Sequence, residues 1–98
     1  GPDAMVTVVC ASEGYPASPR TGDVIVGLDA ARAVEGVTVF CAGVGADDDG
    51  RLITAGGRVL SVTGRGDTVA EARTRAYVAV DEVSWPGMQA RRDIAAGS

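Results

Sequence analysis

The chain has 98 residues, enough for one domain with one modest core. Hydrophobic residues make up 46% and charged residues 22%, so it folds and does not stay disordered. All nine basic residues are arginine, with no lysine or histidine, which removes Ser-His-Asp and Cys-His catalysis, Schiff-base and Walker lysines and histidine-bearing zinc sites; a net charge of −4 speaks against a nucleic-acid or membrane-surface module.

Residues 1–4 read as a linker or tag remnant, with Met5 as a start. Val6 to Ala11 is a β-rich run. Ser12 to Gly22 is a loop broken by Gly14, Pro16, Pro19 and Gly22. Asp23 to Val26 is a second short run, and Asp29 caps a short helix over Ala30 to Val34 that Gly36 ends. Val37 to Cys41 is the next strand. Asp47-Asp48-Asp49-Gly50 turns between it and Leu52-Ile53-Thr54, a hairpin signal. After Gly56-Gly57, Arg58 to Thr63 alternates as a half-buried strand.

One long helix over about residues 68–83 opens on Thr68-Val69-Ala70-Glu71, a capping box in which the threonine hydroxyl meets a first-turn N–H and the glutamate reaches back; Asp67 is the adjacent alternative cap. Val69, Ala72, Ala76, Val80 and Val83 form its apolar stripe. The many alanines let it lie close to a sheet. Ser84-Trp85-Pro86-Gly87 stops it. About five strands with one long and one short helix give an α+β domain with a mainly antiparallel sheet over residues 5–94, and residues 95–98 are a frayed tail.

Cys10 and Cys41 both fall in apolar runs without a C-x-x-C spacing, which reads as buried free thiols, with a disulfide as the alternative. No apolar stretch approaches the roughly 18 residues of a membrane span. The aspartate run lacks the alternating ligands and closing glutamate of a calcium loop and reads as a solvated turn. Arg65-Gly66-Asp67 reads as the passage from strand to helix. Gly43-Val44-Gly45 lacks the third glycine and the helix of a dinucleotide fingerprint. Arg91-Arg92 offers guanidinium forks suited to phosphate or carboxylate, or is a solvated pair with Asp93. The loop Ser12-Glu13-Gly14-Tyr15-Pro16, with Arg20 nearby, has the backbone and hydroxyl groups of an anion cradle, or is an ordinary loop.

Six blocks in this order carry a resemblance. They are Val6–Val9 with Ala11–Pro16; Gly22–Ile25 with Gly27–Asp29; Gly36–Phe40 into Ala42-Gly43; Gly56–Leu60 with Val62-Thr63; Gly66–Thr68 with Ala70–Ala72; and Gly87-Met88 with Arg91–Ile94. Together they resemble the C-terminal domain of the phosphoribosylamine–glycine ligase (glycinamide ribonucleotide synthetase) family of ATP-grasp enzymes, from about Met5 to Ile94. The resemblance implies a small β-rich domain with a helix, working as part of a cytoplasmic enzyme of purine synthesis. ATP and magnesium belong to the ATP-grasp portion of such an enzyme, so this domain is expected to bind no cofactor or metal and to be inactive alone. Its partners would be that portion and the substrates phosphoribosylamine and glycine, with no nucleic acid or membrane. Ser12, Gly14, Tyr15 and Pro16 become the wall of the substrate site, with Arg20 beside it; Arg91 or Arg92 becomes the ligand of the 5′-phosphate. A catalytic residue is not expected. Members of the family often carry His-Ala-Gly-Thr where this chain has Cys41-Ala42-Gly43-Val44, and a basic residue where it has Thr21. They also carry an aromatic-containing run where it has Trp85 to Ala90. These departures leave a second reading, a stand-alone binding module that kept the fold and lost the enzyme.

Overall fold

A computed structural model describes residues 4–92 of the chain, with side chains to residue 90. Of the linker read over residues 1–4, residues 1–3 lie outside the described residues and Ala4 already belongs to the first strand; the tail at 95–98 lies outside them too, as do Asp93 and Ile94. The architecture is α+β. Strands β1 (Ala4–Ala11), β2 (Val37–Cys41), β5 (Arg58–Gly66) and β6 (Gln89–Arg92) form a four-stranded antiparallel sheet in the order β2-β5-β1-β6. Strands β3 (Val44–Ala46) and β4 (Leu52–Thr54) form a separate hairpin, and helices α1 (Leu28–Arg32) and α2 (Val69–Glu82) lie between the strands in sequence.

Register assigns the faces. Val8 stands opposite Val62, and Val62 opposite Val39; Cys10, Leu60 and Cys41 form the next row. Directly opposed residues share a face, so these rows make one apolar side. That side meets Ala76, Ala79, Val80 and Val83 of α2 and the segment after it, with Leu28 and Ala31 of α1 beside them. Small side chains bring the helix close. At Gly64 an added Cβ would overlap the Ala72 carbonyl oxygen and stand 2.6 Å from the Ala76 nitrogen. The opposite face of the sheet carries Thr7, Thr38, Ser61 and Thr63, with a Thr7–Thr63 hydroxyl bond of 2.9 Å.

The ends of the elements depart from the sequence reading in physically specific ways. The long helix is capped by Thr68, whose hydroxyl accepts the Glu71 N–H at 3.1 Å. The Glu71 carboxylate does not complete the box: it pairs with Arg75 one turn on, at 2.8 Å. Val69 is 38% exposed, outside the buried stripe, and Ala79 takes its place there. The short helix starts two residues earlier than expected, capped by Gly27 and not by Asp29, which sits in its first turn. Gly27 has φ 84°, and an added Cβ would overlap the Glu82 carbonyl oxygen, so the chain passes the end of α2 only as glycine. Residues 23–26 form isolated bridges, Val24 to Ile53 and Val26 to Ser84, in place of a strand. The aspartate turn joins Val44–Ala46 to Leu52–Thr54, so β2 is not part of that hairpin. Asp47 organises the turn. Its Oδ1 accepts the backbone N–H groups of Asp49 and Arg51, its Oδ2 accepts Arg51 Nε at 2.8 Å, and the Arg51 backbone bond leads in holding this carboxyl below its ordinary range.

Both cysteines are free. Cys10 is buried in the core, as expected. Cys41 is only half-buried, because it ends the edge strand, and its Sγ accepts Arg32 Nη2 at 3.2 Å.

Candidate functional site

Antiparallel pairing gathers four chain ends at one end of the sheet: the exits of β1 and β2 and the entries of β5 and β6. The loop proposed as a substrate wall leaves β1 there. Ser12 is fully buried. Its N–H donates to the Gly57 carbonyl at 2.8 Å and its Oγ to the Gly56 carbonyl at 2.7 Å. The glycine pair is therefore the seat of the loop. Gly43 leans on the same seat: an added Cβ would stand 3.1 Å from the Gly56 nitrogen and overlap the Arg58 carbonyl oxygen.

Tyr15 lies with its ring edge on Gly57, where an added Cβ would overlap Cδ1 of the ring. Its hydroxyl accepts Arg58 Nε at 2.9 Å. The Tyr15–Pro16 bond is cis. Gly14 turns the loop at φ 83°, and Ser18 N–H closes on its carbonyl at 2.9 Å. From β6, Gln89 Nε2 donates to the carbonyls of Ser12 at 3.0 Å and Tyr15 at 3.5 Å. A loop held at both ends and in the middle loses little further conformational freedom when a ligand meets it.

Arg20 sits otherwise. Its guanidinium meets Asp23 Oδ1 at 2.9 Å and Glu13 Oε2 at 3.4 Å. Two carboxylates around one guanidinium leave a net negative charge, so an anion would have to displace one of them, and Arg20 acts as the brace of the loop's far end. Asp23 is 8% exposed, and its Oδ2 has no hydrogen-bond partner; nor has the buried Nε1 of Trp85.

The structure thus brings Ser12, Gly14, Tyr15 and Pro16 together on one platform. Arg91 and Arg92 continue β6 opposite Val9 and Val8; their side chains lie outside the described residues. Sequence reasoning passed over Gln89, Arg58 and Arg32. Gln89 and Arg58 carry no local motif, and only the Gly56-Gly57 pair hinted that another segment lies close. Cys41 and Gly43 belong to the same end of the sheet, so one departure from the family pattern, Cys41, falls beside the candidate site. Among the described residues no group of three or more His, Cys, Asp or Glu could hold a metal ion. No helix among them is long and apolar enough to cross a membrane.

Comparison with known proteins places this geometry. Residues 5–97 match the family model described as phosphoribosylglycinamide synthetase, C domain. A phosphoribosylamine–glycine ligase of Leifsonia xyli is 54% identical over 96 residues, covering 97% of this chain and 23% of its own length. The enzyme of that name from Neisseria meningitidis serogroup A is 51% identical over 94 residues, covering 96% of this chain and 22% of its own. The crystal structure of phosphoribosylamine–glycine ligase from Thermotoga maritima superposes with a TM-score of 0.77 at 43% identity, over 93% of this chain and 22% of that one. The chain spans about a fifth of the length of the relatives it matches.

Proposed function

The chain belongs to the phosphoribosylglycinamide synthetase C-domain family, and from that premise we propose that it works as the C-terminal domain of a phosphoribosylamine–glycine ligase. In this reading residues 5–94 complete the cleft in which an ATP-grasp portion joins glycine to 5-phosphoribosylamine in purine synthesis, in the cytoplasm. ATP and magnesium are handled by that portion. This domain contributes shape and polar groups and has no turnover by itself.

The observation that carries the reading is the pinned platform of Ser12 to Pro16 at the end of the sheet. Its backbone is fixed by Gly56, Gly57 and Gln89, which suits a wall that must hold its shape while substrate enters. The Tyr15 hydroxyl and Arg58 give it a polar corner. One of Arg91 and Arg92 is the ligand of the substrate 5′-phosphate, through a bidentate guanidinium contact.

Adding the chain to a matching ATP-grasp fragment that lacks its C-terminal part tests this. With glycine and phosphoribosylamine present, glycine-dependent ADP release should return, and Arg91→Ala or Arg92→Ala should lower it by about tenfold or more, the order of one lost charge-assisted pair. Two folded parts that neither bind nor restore activity would overturn the reading. That result would favour a binding module without ligase activity, the alternative suggested by Cys41 and Val44 standing where the family often has histidine and threonine.

A further inference from the structure

Ser12 to Tyr15 closes as a turn, with the Tyr15 N–H donating to the Ser12 carbonyl at 3.2 Å. Gln89 clamps both ends of that turn. Its Nε2 donates to the Ser12 carbonyl at 3.0 Å and to the Tyr15 carbonyl at 3.5 Å. The Ser12 carbonyl therefore accepts two N–H groups, which fills both of its lone pairs. The segment leading into β6 bears on the loop as well: an added Cβ at Gly87 would overlap the Glu13 side chain. Backbone register completes the joint, with Gln89 opposite Ala11, the residue before the loop. β6 itself is an edge strand, paired with β1 over four residues. A strand held by so few bonds depends on each of them for its alignment. Arg91 follows Gln89 by two residues, about 7 Å along an extended strand.

We propose that Gln89 is a positioning residue for the phosphorylated substrate. It sets the spacing between the wall at Ser12 to Tyr15 and the phosphate ligand at Arg91 or Arg92. The proposal rests on the function proposed above. A molecule held at two places gains fully from both only when their spacing is fixed before it arrives, because ordering a site on binding lowers affinity. Phosphoribosylamine is the substrate that meets both, with its phosphate on β6 and its sugar toward the wall. Glycine and ATP do not engage β6, so their binding does not depend on this clamp.

The test is steady-state kinetics of the chain combined with the matching ATP-grasp fragment, varying each substrate in turn, with circular dichroism to check the fold of each variant. Gln89→Leu keeps the size of the side chain and removes the donor. It should raise KM for phosphoribosylamine about three- to tenfold, the order of one or two lost neutral hydrogen bonds. KM for glycine and ATP should not change, and kcat should stay within about twofold, the pattern of an interaction made equally in ground and transition states. Gln89→Asn keeps the amide but falls one methylene short, and should raise the same KM. Gly64→Ala, at the far end of β5, loosens the fold without touching the loop. Assayed well below its melting temperature, it should leave that KM unchanged. An unchanged KM for phosphoribosylamine in both Gln89 variants overturns the positioning role and leaves the functional reading standing. So does a parallel rise in all three KM values, or an equal rise in Gly64→Ala, since either marks general loosening of the domain. A wild-type chain that restores no activity overturns the functional reading, and this proposal with it.

Discussion

Replacing Gly64 with alanine puts a methyl group where β5 and α2 are closest. Gly64 stands between Val6 and Val37 in register. Its new Cβ would overlap the Ala72 carbonyl oxygen and lie 2.6 Å from the Ala76 nitrogen and 3.1 Å from the Ala76 Cβ. Backbone atoms cannot rotate away, so the helix must move as a body. Reaching an ordinary separation of about 3.5 Å from that nitrogen takes a shift of roughly 0.9 Å. A gap of that size forfeits a quarter to a half of the dispersion energy along the rest of the contact, at Ala79, Val80 and Val83. Overpacking of this kind costs about 3 kcal/mol, against which alanine in place of glycine in a strand returns about 0.5–1 kcal/mol. A net loss of about 2–3 kcal/mol lowers the melting temperature by roughly 10–20 °C in a domain this small. Scanning calorimetry reads it directly. Gly45→Ala is the control, since its Cβ would meet nothing nearer than 3.4 Å. A Gly64→Ala protein that melts within two or three degrees (on the order of 0.5 kcal/mol) of the Gly45→Ala protein would refute the reasoning.

Ser12→Ala removes the donor to Gly56 from a fully buried position and should cost about 1–3 kcal/mol, the range for a stranded buried partner; urea unfolding checks it, and an unchanged midpoint means the hydroxyl does not seat the loop. The thiols should differ in reactivity. Burial pushes Cys10 up from 9.0 to about 11, so iodoacetamide at mildly alkaline pH should modify the half-exposed Cys41 alone, as peptide mass mapping would show; labelling of Cys10 at an equal rate contradicts this burial. Because the folded thiol titrates above the unfolded one, its contribution to stability is whole below pH 9.0 and is lost as pH rises through about 11. The urea midpoint should fall across that window, and less so in Cys10→Ala.

Elements whose residues declare themselves locally were legible. The alternation after Gly57 gave β5, and the threonine cap with its alanine stripe gave α2. The strand β6 escaped because Gln89-Ala90-Arg91-Arg92 has no apolar pattern; it is a strand through pairing with β1. Val44-Gly45-Ala46 is short and small, and only Leu52–Thr54 opposite makes it β3. Asp29 looked like a cap by residue type, but the passage past Glu82 demands glycine, and that constraint comes from a segment more than fifty residues on. At the site, the loop from Ser12 to Pro16 stood out by composition. The groups that hold it, Gln89 and Arg58, are distant in sequence and carry no signature there. Arg20 reads as lying beside the substrate site, but the loop turns Glu13 back onto it and Asp23 stands three residues on, so both carboxylates take its guanidinium.

The strand order has a consequence for how the chain is made. β1, the first of this domain's described strands to be synthesised, lies in the middle of the sheet, between the two latest of them. Val6 pairs with Gly64, 58 residues away (64 − 6). At about 5–20 residues per second, that partner follows on the order of 3–12 s later. Through that interval Val6, Val8 and Cys10 have no strand beside them. The segment from β5 through α2 is continuous in sequence, and β1 docks onto a surface built after it. Non-local closure of this kind is slow and leaves apolar strand exposed. A nascent chain halted before β5 would therefore be the most aggregation-prone species on the path to this fold.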